Sequence, residues 1–136
     1  MKKIFLSLIV LCTMGLVASY AQADFYFWHL NLPSSVERGT EIGINYRVGN
    51  QGDITGENIS LEIYITDRQA TSYTNGIFLG KKEIIKIEPN YLIGSLIKVR
   101  VNVQYGDYKV WAVVNGNQDI DEGGAYGNNV ISKEIT

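Results

Sequence analysis

Residues 40–48 alternate strictly between apolar and polar side chains, and this alternation constrains the fold more than any other feature. The apolar members are Ile42, Ile44, Tyr46 and Val48, and Glu41, Gly43, Asn45 and Arg47 lie between them. Successive side chains of a strand point to opposite faces, so the pattern predicts a strand with one buried face and one solvated face. A sheet of such strands needs a second layer over its apolar face.

Six further segments carry strand-like patterns, separated by turn-forming residues. They are residues 24–32, 57–66, 77–87, 96–104, 108–115 and 129–136, and the third is a short strand or a pair of strands interrupted near Gly80. No segment shows a helical period. Short strands at intervals of about 8–12 residues are typical of a β-sandwich, so we expect an all-β, seven-stranded, two-layer domain.

The N-terminal segment has the pattern of a cleavable signal helix. Lys2 and Lys3 precede an apolar stretch at residues 4–17, and Ala21-Gln22-Ala23 has the small-x-small pattern of a cleavage site. The alternative is a membrane-spanning helix, but a span needs about 20 apolar residues. We therefore expect residues 1–23 to be removed after Ala23, no membrane span afterwards, and a secreted, periplasmic or cell-surface location.

The predicted mature chain, residues 24–136, has the length of one domain. The only cysteine of the full chain, Cys12, lies in the predicted signal segment and is removed with it. Packing and the sheet ladders must therefore stabilise the mature fold without disulfides. Cleavage removes two of the 12 basic residues and none of the 14 acidic ones, and the net charge falls from −2 to −4. A chain of this charge without a basic patch is not expected to bind nucleic acid.

Tyr108 stands two residues after Gly106 and two before Val110. Greek-key sandwiches of the immunoglobulin class place a tyrosine at this point, and its hydroxyl bonds back to nearby backbone. The second cysteine of an antibody domain would fall at Val110. The layout therefore favours an immunoglobulin-like Greek-key sandwich, although an ordinary core aromatic would also fit at Tyr108.

The chain also resembles a known family, the bacterial and archaeal cell-adhesion-related domain called CARDB. The resemblance extends over nearly all of residues 24–136. It rests on Pro33, Val36 and Gly39, then on Val48-Gly49-Asn50-Gln51-Gly52, Ile63-Tyr64-Ile65-Thr66-Asp67, Phe78-Leu79-Gly80, Gly106-Asp107-Tyr108, Val113-Val114-Asn115, Glu122 and Asn128-Asn129. It implies an immunoglobulin-like sandwich with a role in adhesion or recognition at the cell surface.

Several positions of the resemblance have physical reasons. Gly39 and Gly52 are expected to take positive φ at the ends of the second strand. Asn50 is expected to bond its own backbone, and Asn128 and Asn129 to do the same before the last strand. The chain departs from the family where an aspartate is usual and Asn115 stands instead. It also lacks the usual second acidic residue before the paired asparagines.

Catalysis has little support in the sequence. The only histidine, His29, lies among apolar residues of the first predicted strand, and no thiol remains after cleavage. No serine stands in a nucleophile-elbow context. We therefore expect a protein that is not an enzyme.

One loop is dense in oxygen ligands. Asn117, Asp119 and Asp121 stand at alternate positions, as in calcium-binding loops, and Glu122 follows. The pattern is not an EF-hand, because Glu122 stands where the tight-turning glycine belongs and Asn128 where a bidentate glutamate belongs. These four residues are the candidate calcium ligands. The alternative is a solvated acidic loop, and no other cofactor is expected.

Aromatic residues in loops are the second candidate for ligand contact. Tyr73 and Tyr126 lie in loops rich in glycine and serine, where tyrosine often contacts ligands. Together with Asp119, Asp121 and Glu122 they form the predicted ligand-binding set. The first strand carries aromatics on both faces, and one of these faces is either a partner surface or covered by neighbouring chain.

These observations predict a non-enzymatic secreted or periplasmic module for cell adhesion, or for recognition of a protein or glycan at the cell surface. One alternative is a structural subunit that assembles by β-strand augmentation, with the aromatic first strand as donor. A second alternative is an inhibitor of extracytoplasmic proteases that uses loops such as residues 67–76.

Overall fold

The computed structural model describes residues 21–136, in which seven β-strands and no helix are present. The strands are β1 (Phe25–Asn31), β2 (Thr40–Asn50), β3 (Gly56–Asp67), β4 (Ile77–Ile87), β5 (Leu92–Val101), β6 (Tyr108–Val114) and β7 (Val130–Ile135). Residues 1–20 of the predicted signal segment lie outside the described part of the chain. Within residues 21–136 there is no helix long and apolar enough to cross a membrane.

The strands form two antiparallel sheets. One has the order β1-β2-β5 and the other the order β4-β3-β6-β7. Strands distant in sequence therefore pair, β2 with β5 and β3 with β6. This arrangement confirms the expected all-β chain of seven strands in two sheets, and it is consistent with a β-sandwich.

The core lies between the apolar faces of the two sheets. The alternation in β2 is confirmed, since Ile44, Tyr46 and Val48 are buried. From the other sheet they meet a single apolar face of β3 and the inner residues of β6, namely Ile59, Leu61, Ile63, Ile65, Val110, Ala112 and Val114. Burial of each large side chain contributes roughly 1.5–3 kcal/mol, which is the main force that holds the two layers together.

Two strand predictions differ from the structure. β4 is a single strand, and the expected break near Gly80 is a register shift opposite Ile63 and Tyr64, which a bulge accommodates without ending the strand. β5 begins at Leu92 and ends at Val101, earlier at both ends than the predicted 96–104. The physical reason is β2, which continues to Asn50 and offers β5 a backbone partner as far as the Gly49–Leu92 pair.

The lateral side formed by β1 and β7 is closed by backbone hydrogen bonds. Phe27 N–H donates to the Asn128 carbonyl at 3.3 Å, and Thr136 both donates to Ser34 and accepts from Val36 at 3.0 Å. β1 is thereby held in its own domain by β2 on one edge and by the segment before β7 on the other. Donation of β1 to another chain would cost these bonds.

The corner residues confirm most of their predicted roles. The Tyr108 hydroxyl donates to the Gln104 carbonyl at 2.7 Å, which is the expected bond back to nearby backbone. Asn50 is buried, and its Oδ1 accepts from the N–H of Gly52 at 3.0 Å. Gly39 has φ +81° as expected. The expectation for Gly52 is wrong, because its φ is not positive; glycine is needed because a Cβ would lie 2.6 Å from Asp24 N.

Aromatic residues of β1 are divided between core and solvent. Phe25 is fully buried, whereas Trp28 is 64% exposed at a register shift between Phe27 and His29. His29 is exposed on this edge strand. Ala23, which the predicted cleavage would remove, is buried in the core cluster.

Candidate functional site

The loop between β6 and β7 is folded around the carboxylate of Glu122. This side chain is only 2% exposed. Its Oε1 accepts a hydrogen bond of 2.6 Å from Phe25 N–H, and its Oε2 accepts from Asn115 Nδ2 at 2.7 Å and from Asn129 Nδ2 at 2.5 Å. Glu122 therefore fastens three distant parts of the backbone together.

Asn115 explains how the chain tolerates its departure from the family pattern. Its backbone has φ +52°, a conformation that asparagine adopts more readily than most residues. Its amide donates to Glu122 and to the Ile120 carbonyl, at 2.7 and 2.8 Å. An aspartate here would place a second carboxylate against Glu122, so asparagine suits the buried pair better.

Burial in the loop raises the pKa of Glu122 above its ordinary value of 4.5. The hydrogen bonds from Asn115, Phe25 and Asn129 act in the opposite direction, because they favour the charged form. The desolvation of the carboxylate is the larger effect.

The structure does not bring the four candidate calcium ligands together. Asn117, Asp119 and Asp121 are exposed, whereas Glu122 points inward with both oxygens occupied by donors. Asn117 Nδ2 donates to Asp119, and Asp121 Oδ1 accepts from Gly123 N–H at 2.8 Å. In residues 21–136 there is no group of three or more His, Cys, Asp or Glu side chains placed to hold a metal ion. The geometry therefore does not fit an ion centred on Glu122.

Tyr126 belongs to the same loop and packs over it. Its hydroxyl accepts from the N–H of Glu122 at 3.3 Å, and its side chain is half-buried. Sequence reasoning missed the role of Asn129, whose Oδ1, like that of Asn128, is buried without a hydrogen-bond partner among the described residues. The paired asparagines carried a signal, but it was assigned to their own backbone, whereas Asn129 Nδ2 donates to Glu122 and Asn128 Nδ2 donates to Asp24.

Tyr73, the other predicted ligand residue, lies in a separate aromatic cluster on the outer face of the four-stranded sheet. Its ring centroid is 5.1 Å from that of Tyr64 and 6.5 Å from that of Trp111. Phe78 meets Tyr64 edge to face at 5.7 Å and is 54% exposed. Sequence reasoning missed Tyr64, Phe78 and Trp111 as neighbours, because only the register of β3 with β4 and β6 places them side by side.

Hydrogen bonds hold the loop of residues 68–76, which we call the Tyr73 loop, against this cluster. Gly76 N–H donates to the Tyr73 carbonyl at 2.8 Å, and Lys109 Nζ donates to the Ala70 carbonyl at 3.0 Å. The same ammonium lies 5.3 Å from the centroid of the Trp111 ring. Trp111 in turn donates from Nε1 to Thr66 Oγ1 at 2.8 Å. Of these bonds, the one from Lys109 ties the loop to β6, the one from Gly76 closes the end of the loop internally, and the one from Trp111 fixes the end of β3 from which the loop begins.

An open cleft of about 460 Å³ lies along the Tyr73 loop. Its walls come from the end of β3, the loop itself, the start of β4 and the start of β6. The lining residues are Ile65, Thr66, Asp67, Gln69, Ala70, Thr71, Ser72, Thr74, Asn75, Ile77 and Tyr108. Ligand pockets commonly have volumes of about 300–1,000 Å³, so this cleft has room for a small ligand or for one unit of a chain.

A short hydrogen bond joins the aromatic cluster to a carboxylate. The Tyr64 hydroxyl donates to Glu62 Oε2 at 2.5 Å. This bond, with burial and the charge of Glu62 as smaller causes, raises the pKa of Tyr64 to about 12. Tyr64 therefore stays neutral throughout the physiological range and keeps its ring fixed.

The fold of this domain is similar to that of several known proteins. Over 85% of this chain and 88% of that chain, the fold matches a CARDB domain from Pyrococcus furiosus crystallised in complex with di-metal ions (18% identity, TM-score 0.64). A domain described as belonging to a cell surface protein of Methanosarcina acetivorans matches at 15% identity and TM-score 0.61, over 84% of this chain and 90% of that one. At such low sequence identities, the structural likeness shows a shared fold.

A β-glucosidase from Erythrobacter marinus also matches, at 16% identity and TM-score 0.58. The match covers 84% of this chain but only 15% of the enzyme, so it concerns one domain of a much longer chain. No curated protein matches the sequence. The model of the CARDB family, a family of non-catalytic modules, matches residues 22–133. The chain belongs to the CARDB family.

Proposed function

We propose that this protein is a non-enzymatic extracytoplasmic recognition module, and that it binds a partner at the cell surface through the Tyr73 loop and its cleft. The observation that carries the proposal is the combination of a fastened loop with an open cleft of about 460 Å³ beside it. The other candidate loop is occupied internally, because Glu122 accepts hydrogen bonds from both Asn115 and Asn129.

The fastening of the loop supports binding in a direct physical way. A loop that is already ordered loses little conformational entropy when a partner binds, so more of the contact energy appears as affinity. The contacts of Lys109 and Trp111 supply this order from the rigid strand β6. Function in immunoglobulin-like domains commonly lies in such loops.

Two further observations support a location at the cell surface. The N-terminal residues have the pattern of an export signal. The Methanosarcina acetivorans domain with the same fold is described as belonging to a cell surface protein. Neither observation depends on the Tyr73 loop, so location and binding site are tested separately.

Binding to intact cells tests the proposal. The purified protein carries a fluorescent label, and binding to cells is compared for wild type, Tyr73→Ala and the matched control Tyr105→Ala, whose side chain is 89% exposed at another turn. We expect saturable binding that is lost in Tyr73→Ala and kept in Tyr105→Ala, with circular dichroism showing both variants folded. Equal binding by the two variants would contradict the proposal.

Calcium binding remains a separate proposal for this chain. It is supported by the exposed carboxylates of Asp119 and Asp121 next to Asn117, and by the di-metal ions in the Pyrococcus furiosus domain. Glu122 is not available as a ligand without loss of its three hydrogen bonds. Calorimetry with millimolar calcium, on wild type and Asp119→Asn, decides: absence of heat and of any change in melting temperature would end the idea.

A further inference from the structure

We infer that the cleft beside the Tyr73 loop takes an uncharged sugar unit of a surface glycan. This inference rests on the proposed function and names the chemical class of its partner. Three properties carry it: the side chains that line the cleft, the absence of basic residues from that lining, and the aromatic cluster on the other side of the same loop.

The lining is rich in neutral hydrogen-bonding groups. Seven of the eleven residues carry a hydroxyl or a carboxamide; besides Tyr108, whose hydroxyl donates to Gln104, they are Thr66, Gln69, Thr71, Ser72, Thr74 and Asn75. Such groups both donate and accept, which matches the hydroxyl groups of a sugar. A mainly apolar ligand would cover these groups without pairing them, so the lining selects against it.

The charge of the lining further restricts which ligands fit the cleft. No lysine or arginine lines the cleft, and its one charged residue is Asp67. The neighbouring Arg68 is directed elsewhere, since its guanidinium lies 2.9 Å from Glu134 and 3.8 Å from Asp107. A phosphorylated, sulfated or uronic sugar would therefore meet a carboxylate without a compensating cation. The cleft suits an uncharged sugar, from which Asp67 can accept hydroxyl hydrogen bonds.

The lining also has an apolar part of about the same size as its polar part, formed by Ile65, Ala70, Ile77 and the ring of Tyr108. A sugar ring presents C–H groups on its faces and hydroxyl groups at its rim, so it is matched by a surface that offers both apolar and hydrogen-bonding groups. The cleft offers both. A protein partner is less well matched, because protein interfaces centre on buried aromatic or arginine anchors in apolar pockets.

The aromatic cluster provides a second contact for a longer glycan. Phe78 is 54% exposed and is supported edge to face by Tyr64, which itself packs against Tyr73. Stacking on a fixed aromatic ring costs little conformational entropy. An oligosaccharide that enters the cleft with one unit can thus extend across the Tyr73 loop onto Phe78.

A glycan array probed with the purified protein gives the first test. We expect neutral oligosaccharides to bind, and calorimetry with the best of them to show an affinity about 5-fold lower for Asn75→Ala, since one hydrogen bond is worth about 1 kcal/mol. The matched control is Asn31→Ala, an exposed asparagine on β1, which should bind as wild type does. Preference for charged glycans, binding by no glycan, or equal loss in both variants would overturn the inference.

Treatment of whole cells separates this inference from the proposed function. Periodate, which cleaves sugar diols, should abolish binding of the labelled protein, and protease treatment should leave it. If binding depends on Tyr73 but survives periodate and is lost after protease, the partner is a protein: the proposed function stands and the glycan inference falls. If Tyr73→Ala binds cells as wild type does, the proposed function itself falls.

Discussion

Glu122 accepts a hydrogen bond of 2.6 Å from the backbone N–H of Phe25, a residue 97 positions earlier in the chain. Its other oxygen accepts from the amides of Asn115 and Asn129. One buried carboxylate thus links the first strand, the end of β6 and the start of β7. Its surroundings indicate a structural role for Glu122, whereas the Tyr73 loop borders the open cleft that we propose as the binding site.

Replacement of Glu122 by glutamine tests that structural role. A glutamine has one acceptor oxygen and one NH₂ group, so at least one of the three donors would face another donor without a partner. A buried donor without a partner costs about 1–3 kcal/mol, and we expect the free energy of unfolding to fall by about that amount. Urea denaturation of Glu122→Gln measures it. The exposed neighbour Asp121→Asn is the control and should change stability little; equal losses would argue against the buried network.

The Tyr108 hydroxyl should stabilise the corner before β6. In Tyr108→Phe the Gln104 carbonyl loses its donor while the ring stays in place. A hydrogen bond of this kind contributes about 0.5–1.5 kcal/mol net. We expect a loss of this size in urea denaturation. The control is Tyr105→Phe. Because Tyr105 is 89% exposed, the loss of its hydroxyl should leave the denaturation midpoint unchanged.

Tyr64 should titrate above the ordinary tyrosine pKa of 10.0. The bond to Glu62 raises the pKa of Tyr64 from 10.0 to about 12. The folded state holds this proton more tightly than the unfolded state does, so the stabilisation is fully present below pH 10 and is lost as the pH rises through about 12. Ring-carbon NMR shifts follow the titration. In Glu62→Gln the value should return toward 10, and an unchanged value would refute the assigned cause.

Trp111 should help to order the Tyr73 loop, because its ring lies 6.5 Å from that of Tyr73 and its indole nitrogen bonds to Thr66 near the end of β3, just before the loop. In Trp111→Phe the Thr66 hydroxyl loses a buried donor at 2.8 Å, and the ring under Tyr73 becomes smaller. We expect a stability loss of about 1–3 kcal/mol, from the lost hydrogen bond and the smaller buried surface. Hydrogen exchange should also become faster at Gly76 N–H, which bonds within the loop. Unchanged exchange there would mean that the loop is ordered by other contacts.

Mass spectrometry of the exported protein tests the predicted cleavage. The Ala21-Gln22-Ala23 pattern predicts an N-terminus at Asp24. The structure buries Ala23, and the Asp53 N–H donates to the Gln22 carbonyl at 2.7 Å. A mass that retains residues 22 and 23 would show that cleavage occurs earlier, and it would place both residues in the folded domain.

Local patterns were sufficient for much of the fold. The alternation in residues 40–48 predicted β2, and the position of Tyr108 after Gly106 predicted its bond to nearby backbone. Each of these signals comes from residues that are close together in the sequence. The ends of β5 were misplaced because they depend on the length of its partner β2.

The site was harder to predict because its contacts are long-range. Tyr64 and Trp111 become neighbours through the register of two strands, which no local pattern specifies. Glu122 looked like a surface ligand, since the residues around it are acidic or glycine, and its burial depends on the distant Phe25 N–H. Tyr73 was singled out from the composition of its loop alone, and its part in ligand binding stays a prediction.

The bonds of Thr136 with Ser34 and Val36, and that of Phe27 with Asn128, have a consequence for how the domain opens. Together with Glu122 they join the first and last strands, so neither can fray while the other stays in place. Local opening of β1 therefore requires opening around β7 as well, which makes the two strands one cooperative unit. Proteolysis that starts in either strand should accordingly require both to open.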